Sequence, residues 1–231
     1  MRVVSGRTDR VVVVGAGLGG LSAALRLAGA GRRVTVIERE AVPGGRAGVL
    51  EMGGFRFDTG PTVLTMPELI GDALACVDED IGSWLDLRRV EPAYRAAFAD
   101  GSSLDVIADI DAMAEQIRDA IGPRDAAGYR KFATYAKRLY DLERSDFIDR
   151  NLDSALDLVR PSLARLVAMG GFRRLAPKVN SFFDDERLRR IFTFQSMYAG
   201  RSPYDALAIY AVIAYMDCIA GVWFPVGGMH A

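Results

Sequence analysis

The chain has very little histidine and cysteine and almost no net charge. Its 231 residues include one histidine, His230, and two cysteines, Cys76 and Cys218, while 29 basic residues are balanced by 30 acidic ones. Zinc sites, disulfide frameworks and serine–histidine triads need more of these residues than the chain has. Nucleic-acid-binding proteins normally carry a basic excess, which is absent here. We therefore expect no metal site and no nucleic-acid partner.

The sequence also lacks a long uninterrupted apolar run. The stretch 11–30 follows three arginines, as in a signal peptide, but several glycines and Arg26 interrupt it. The stretch 206–224 contains Asp217 and is better explained by a buried helix followed by a strand than by a membrane span. With few cysteines and no signal peptide we expect a cytoplasmic protein, and peripheral contact with a membrane surface stays open.

Hydrophobic patterning predicts an α/β fold. Apolar residues make up 50% of the chain and charged residues 26%, which is typical of a globular protein with a core. The β-branched run 11–14 predicts a strand buried on both faces, 18–30 has helical spacing, and 33–38 predicts a second strand. Together they form a right-handed βαβ unit with parallel strands, typical of a Rossmann-like domain.

The rest of the chain predicts a mainly helical region that contains a hairpin. Residues 53–58 resemble a short strand, and Thr65–Glu68 is a capping-box sequence that predicts a helix to about Val77. Asp100-Gly101 predicts the turn of a β-hairpin within 90–107, and 109–215 is mostly helical.

We divide the chain into three parts. Residues 1–70 are the expected Rossmann-like cofactor-binding part, and 71–217 are the substrate-domain portion, with the hairpin followed by helices. Residues 218–231 are a strand and glycine turn that begin a further half of the protein.

A glycine-rich motif lies between the first predicted strand and helix. The pattern G-x-G-x-x-G occupies Gly15, Ala16, Gly17, Leu18, Gly19 and Gly20. In a dinucleotide site these glycines allow a tight turn and close approach of a pyrophosphate to the helix amino end. Glu38 ends the second strand, where a carboxylate accepts hydrogen bonds from the adenosine ribose. The alternative is a plain βαβ turn with a solvent-facing Glu38.

Two further glycine-containing turns indicate which dinucleotide binds. Gly45 and Arg46 follow Glu38 closely, and Gly60-Pro61 follows them. Turns without bulky side chains let the chain pass close to a long, extended cofactor, which favours FAD over NAD. Arg46 is a charge-assisted donor for the phosphates or ribose, or alternatively an ordinary residue of a surface loop.

Several segments resemble bacterial phytoene desaturases, within the flavoprotein family that includes amine oxidases and carotenoid desaturases. They are residues 12–48, FDTGPTVLTMPE (57–68) and the segment 192–231 that begins FTFQSMYAGRSPYDALA. The chain departs from the family at Val226, where members have arginine. Members of this family are about twice as long, so we expect the chain to correspond to the amino-terminal half, incomplete and inactive without the second glycine-rich flavin segment.

The resemblance implies an FAD-dependent dehydrogenation of an apolar polyene in carotenoid biosynthesis. Hydride would pass to the flavin and a proton would leave the neighbouring carbon, while side chains of the helical region line an apolar cavity. Asp157 and Arg160 match family positions near the flavin and are the expected catalytic residues, with a surface ion pair on one helix face as the alternative. Asp217 is a further acid: burial would raise its pKa, and the alternative is that it faces solvent at a helix end. We assign no role to His230.

Two other functions stay open at this point. One is a flavin amine oxidase-type enzyme, which would be expected to have more ionisable residues in the central region. The other is a non-catalytic remnant, or one half of a split protein that associates with a separate carboxyl-terminal half.

Overall fold

The computed structural model describes residues 8–148, 153–154 and 159–231, which form two compact units. The first unit extends to Val90 and resumes at Val222, and the second unit comprises Glu91–Gly221. The division at 70 and 217, and the cofactor and substrate roles assigned to its parts, stay predictions.

The first unit contains mostly strands, with α1 and α2 among them, and the second unit is mostly helical. In chain order the helices and strands are β1 (Arg10–Val14), α1 (Leu18–Gly29), β2 (Arg33–Ile37), β3 (Val49–Met52), β4 (Phe55–Asp58), α2 (Glu68–Ala75), β5 (Leu87–Arg89), β6 (Tyr94–Ala97), β7 (Ser103–Val106), α3 (Ile110–Ala120), α4 (Pro123–Glu143), α5 (Pro161–Ala168), α6 (Leu175–Asn180), α7 (Glu186–Ile191), α8 (Ala211–Ala214) and β8 (Trp223–Pro225).

The first unit begins with the predicted βαβ arrangement. Strands β1 and β2 are parallel, with Val11 opposite Val34 and Val14 opposite Ile37, and α1 is the crossover between them. The predicted α/β class and the parallel pair are thus confirmed.

The expectation that β1 is buried on both faces is wrong. Exposure alternates along the strand, and Val12 and Val14 are 58% and 83% exposed. Val13 lies under α1, where an added Cβ at Gly20 would contact it at 3.5 Å. In residues 8–148, 153–154 and 159–231, β1 pairs only with β2, and the exposed Val12 and Val14 show that one face of this pair is uncovered.

The capping box predicted at Thr65–Glu68 does not form. Pro67 is the N-cap of α2, and its side chain accepts no hydrogen bond from the helix N–H groups. Met66, just before it, has a φ of 52°. Leu64, the residue before Thr65, exchanges two backbone hydrogen bonds with Trp223, at 2.9 and 2.8 Å. These bonds hold the chain extended up to the turn, so Thr65 does not occupy the capping position.

The second unit contains the predicted hairpin and the main hydrophobic core. Strands β6 and β7 pair antiparallel around Asp100-Gly101, and the Asp109 carboxylate caps α3 by accepting from Asp111 N–H and Ala112 N–H, at 2.9 and 2.8 Å. The stripe predicted on α4 is fully buried and packs on residues of α7 and its carboxyl end; these residues are Tyr129, Phe132, Ala136, Leu139, Leu188, Ile191 and Phe192. The ring centroids of Phe132 and Phe192 lie 5.0 Å apart.

The apolar stretch 206–224 forms short buried helical turns and then β8, as predicted. Ala208, Ala211 and Ala214 are almost fully buried in these turns. In the part of the chain that the structure describes, no helix is both long and apolar enough to cross a bilayer.

Candidate nucleotide-binding site

The glycine motif forms a turn that only glycine permits at two positions. Gly15 has a φ of 99°, and its N–H donates to Ile37 O at 2.7 Å, which joins the turn to β2. A Cβ on Gly20 would lie 2.0 Å from Gly15 O, so α1 leaves the turn too closely for any side chain there. At Gly15 and Gly19 no atom lies within 4 Å of an added Cβ, so this side of the turn is open.

The amino end of α1 has no side-chain cap. Gly17 is the N-cap and offers no side chain, and the first turn contains no acidic residue. The first N–H groups of the helix therefore present a partial positive charge beside the open side of the turn. A phosphate fits this combination of free donors and open space.

Glu38 lies at the other edge of the turn, directly after β2. Its Oε2 accepts from Ala16 N–H at 2.6 Å, and its Oε1 accepts from Arg39 N–H at 2.7 Å and Glu40 N–H at 2.9 Å. The hydrogen bonds from Glu40, Ala16 and Arg39 lower the pKa of this exposed carboxyl. Oε2 has one further lone pair, so the ionised group fits a ribose hydroxyl as an additional donor.

The second glycine turn packs directly on the first. Gly44 N–H donates to Ala16 O at 2.8 Å, and a Cβ on Gly45 would lie 3.0 Å from Gly17 Cα. The third turn is equally close, since a Cβ on Gly60 would lie 1.7 Å from Arg46 O. The glycines predicted for a long cofactor are therefore needed for contacts between backbones.

The segment after β8 completes this cluster of turns. Met229 N–H donates to both carboxylate oxygens of Asp58 at 3.1 Å, and His230 Nδ1–H donates to Ala47 O at 2.7 Å. The His230 ring also lies against Gly44, where an added Cβ would approach it to 3.0 Å. Sequence analysis assigned no role to His230. The feature that indicated a structural role is the glycine turn that precedes it.

The structure brings the predicted cofactor-binding residues together in the first unit. Arg46 and Pro61 are exposed, and Val226, where the resemblance leads us to expect arginine, is 49% exposed. Their contact with a ligand stays a prediction. The clustered residues are Gly15, Ala16, Gly17, Leu18, Gly19, Gly20, Glu38, Gly45, Arg46, Gly60 and Pro61.

The predicted catalytic pair is not shown as a pair. Asp157 lies outside the described residues. The expectation that Arg160 lies on a helix is wrong: it is the extended N-cap residue before α5. The reason is that Pro161 disfavours helical backbone at the residue before it. Its guanidinium lies 3.8 Å from the Asp146 carboxylate. Among the described residues no cluster of potential metal ligands occurs.

Asp217 has the raised pKa that its apolar surroundings predict. The residue is 7% exposed, and burial raises the pKa of its carboxyl, although the Tyr198 hydroxyl donates to Oδ2 at 3.3 Å.

An apolar cavity of about 540 Å³ lies within the second unit. Glu143 forms part of its wall beside six apolar residues, which are Phe147, Leu163, Leu166, Val167, Phe172 and Ile209. Burial raises the pKa of the Glu143 carboxyl to about 8.

Known proteins of similar sequence belong to one family. A sequence profile described as "Flavin containing amine oxidoreductase" matches residues 18–231. Phytoene dehydrogenase of Streptomyces griseus is 61% identical over all of this chain and 46% of its own length. The zeta-carotene-forming phytoene desaturase of Myxococcus xanthus is 39% identical over 96% of this chain and 43% of its own length. These matches confirm the resemblance inferred from the motifs. The chain spans about half the length of these relatives.

Solved structures support the fold. An oxidoreductase from Methanosarcina mazei superposes with a TM-score of 0.54 at 21% identity, covering 95% of this chain and 46% of its own. Putrescine oxidase superposes with a TM-score of 0.56 at 18% identity, covering 96% and 46%. At these identities the likeness concerns the fold alone.

We expect Gly20→Ala to destabilise the first unit and the matched change Gly19→Ala to leave it intact. The new Cβ of Gly20→Ala would meet Gly15 O, and overpacking of this kind lowers the free energy of unfolding by about 1–3 kcal/mol. Gly19 has open space and gains helix propensity. Both tryptophans, Trp84 and Trp223, lie in the first unit, so urea unfolding followed by tryptophan fluorescence reports on it. Equal midpoints for the two variants would contradict the close contact.

Proposed function

The chain belongs to the flavin containing amine oxidoreductase family, and on that premise we propose that its first unit binds the adenosine and pyrophosphate portion of FAD. The observation that carries the proposal is the Glu38 carboxylate held by Ala16 N–H at the edge of the uncapped helix α1. The family confirms a flavin as the cofactor class predicted from the sequence.

Each group of the site has a distinct part in this binding. The amino end of α1 binds the pyrophosphate, because its N–H groups lack partners in a side-chain cap. Glu38 accepts from a ribose hydroxyl through Oε2 and repels a 2′-phosphate, which selects against phosphorylated dinucleotides. Arg46, exposed beside the second turn, donates to the phosphates or the ribose.

We expect Glu38→Ala to weaken FAD binding about ten- to a hundredfold, the effect of removing hydrogen bonds to a charged group. The neighbouring change Glu40→Ala is the matched control, since that carboxylate is exposed and pairs with Arg39. Quenching of FAD fluorescence gives both dissociation constants, measured with the carboxyl-terminal half of the Streptomyces griseus relative present. Unchanged affinity for Glu38→Ala would remove this residue from the site.

For the reaction we propose the dehydrogenation of an apolar polyene, as the names of the two sequence relatives suggest. When bound, the flavin supplies an acceptor for hydride. The chain's own contribution is to bind the hydrocarbon by apolar burial and to exclude water. Asp157 and Arg160 remain our proposal for the groups that shape the charge near the reacting carbons. No specific observation favours an amine as the substrate.

We propose further that the first unit is completed by a polypeptide equivalent to the other half of the relatives, in the same chain or separate. Parallel strands are normally covered on both faces, yet Val12, Val14 and Ile37 are 58%, 83% and 53% exposed. An apolar face of this kind is suited to packing against elements that the other polypeptide supplies.

Reconstitution tests the reaction and the partner together. We expect the chain mixed with the carboxyl-terminal half of the Streptomyces griseus relative to retain FAD and to convert phytoene to products with longer-wavelength absorption. Each half alone should retain little FAD, because its site is incomplete. Stoichiometric FAD and activity in the chain alone would contradict the need for a partner. Turnover of putrescine without turnover of phytoene would establish amine oxidation instead.

The polyene substrate partitions into lipid, and we propose that the protein is cytoplasmic and contacts a membrane surface through the second unit. Val159, Val167 and Phe172 are 74%, 59% and 46% exposed, and the last two line the apolar cavity. These exposed side chains suit contact with acyl chains at the surface.

Vesicle sedimentation tests this contact. We expect the chain to sediment with phosphatidylcholine vesicles and the double variant Val167→Ser, Phe172→Ser to sediment less, because its apolar area is smaller. Val42→Ser removes an equally exposed valine from the first unit and should sediment like the unchanged chain. Equal sedimentation of all three proteins would contradict the proposed surface.

A further inference from the structure

The cavity of the second unit has the size and lining of a small-molecule site. Its volume of about 540 Å³ lies within the range of roughly 300–1,000 Å³ that such sites occupy. Six of the seven described residues that line it are apolar, so most of a ligand's surface would be in contact with hydrocarbon. Glu143 is the exception.

Glu143 is a buried acid without a hydrogen-bond partner. It is the last residue of α4 and is 9% exposed, and its Oε1 is fully buried with no partner in the described part of the chain. A buried polar atom left unpaired opposes folding, and an apolar residue of similar size would fill the place without that cost. The position is therefore better explained by a ligand than by packing.

The surroundings of Glu143 keep it in its neutral form. Helix α5 presents Leu163, Leu166 and Val167 to the cavity, and Phe172 and Ile209 complete the far wall. The titratable group coupled to Glu143 in the described structure is Tyr135 of the same helix, and its buried hydroxyl is likewise unpaired. With the pKa raised to about 8 by burial, the carboxyl carries a proton at neutral pH and is a hydrogen-bond donor.

We propose that this cavity binds an elongated apolar molecule that carries one hydrogen-bond-accepting oxygen, a ketone or an alcohol, and that Glu143 donates the hydrogen bond to this oxygen. The apolar walls provide affinity, and the single donor selects a ligand with an acceptor over the pure hydrocarbon. The proposal concerns the second unit alone and does not depend on the flavin.

The test compares two ligands that differ only in the acceptor. A medium-chain methyl ketone and the alkane of equal carbon number displace the fluorescent ketone laurdan from the full chain. We define the ketone preference as the ratio of ketone affinity to alkane affinity, corrected for the difference in their transfer from water to hydrocarbon. We expect this preference to be about two- to tenfold at neutral pH, the effect that one hydrogen bond provides. Above pH 8 the ionised carboxylate can no longer donate, so the preference should disappear.

Three variants separate the donor from the apolar walls. Glu143→Leu should show no ketone preference, and Glu143→Gln should keep it at every pH because its amide donates without ionising. The exposed Glu115→Gln is the matched control and should behave like the unchanged chain. Thermal unfolding followed by circular dichroism checks that each variant is folded, and if Glu143→Leu is not, the pH profiles of the unchanged chain and Glu143→Gln decide.

Either of two results would overturn the proposal. One is the absence of laurdan binding, or of any preference for the ketone in the unchanged chain. The other is a preference that survives in folded Glu143→Leu or does not change between pH 7 and pH 9 in the unchanged chain.

Discussion

The hydrogen bond from Ala16 N–H to the Glu38 carboxylate ties the glycine turn to the end of β2, and the rest of the first unit is arranged around it. It places a negative charge at one edge of the turn and leaves the amino end of α1 open at the other. Anions and ribose hydroxyls therefore meet opposite electrostatic environments within one turn. The second glycine turn keeps this arrangement in place, since Gly44 N–H holds the carbonyl of Ala16 itself.

The elements that local patterns determine could be predicted from the sequence. The strand–turn–helix–strand of the first unit and the hairpin at Asp100-Gly101 form as expected, because hydrophobic periodicity and glycine turns are local signals. The contacts of Met229 and His230 could not be predicted, because they join residues more than 170 positions apart. The capping box at Thr65 failed for a similar reason, since pairing with the distant Trp223 sets the backbone there.

Burial was predicted less well than secondary structure, and the reason differs between the units. In the second unit, periodicity identified the buried stripe on α4, because the helices that cover it belong to the same unit. In the first unit, the β-branched run 11–14 indicated a strand covered on both sides, but the described residues cover only one. A sequence pattern records the surroundings a strand is adapted to, whichever polypeptide provides them.

Strand β8 belongs to the first unit, although the whole second unit separates it in sequence from its partner β5. During synthesis, β5 leaves the ribosome more than a hundred residues before the strand it must pair with. The edge of β5 in the nascent first unit therefore stays unpaired while the second unit emerges and folds. During this interval the unpaired edge of β5 is exposed to aggregation. We therefore expect chaperones to bind mainly the early part of the chain.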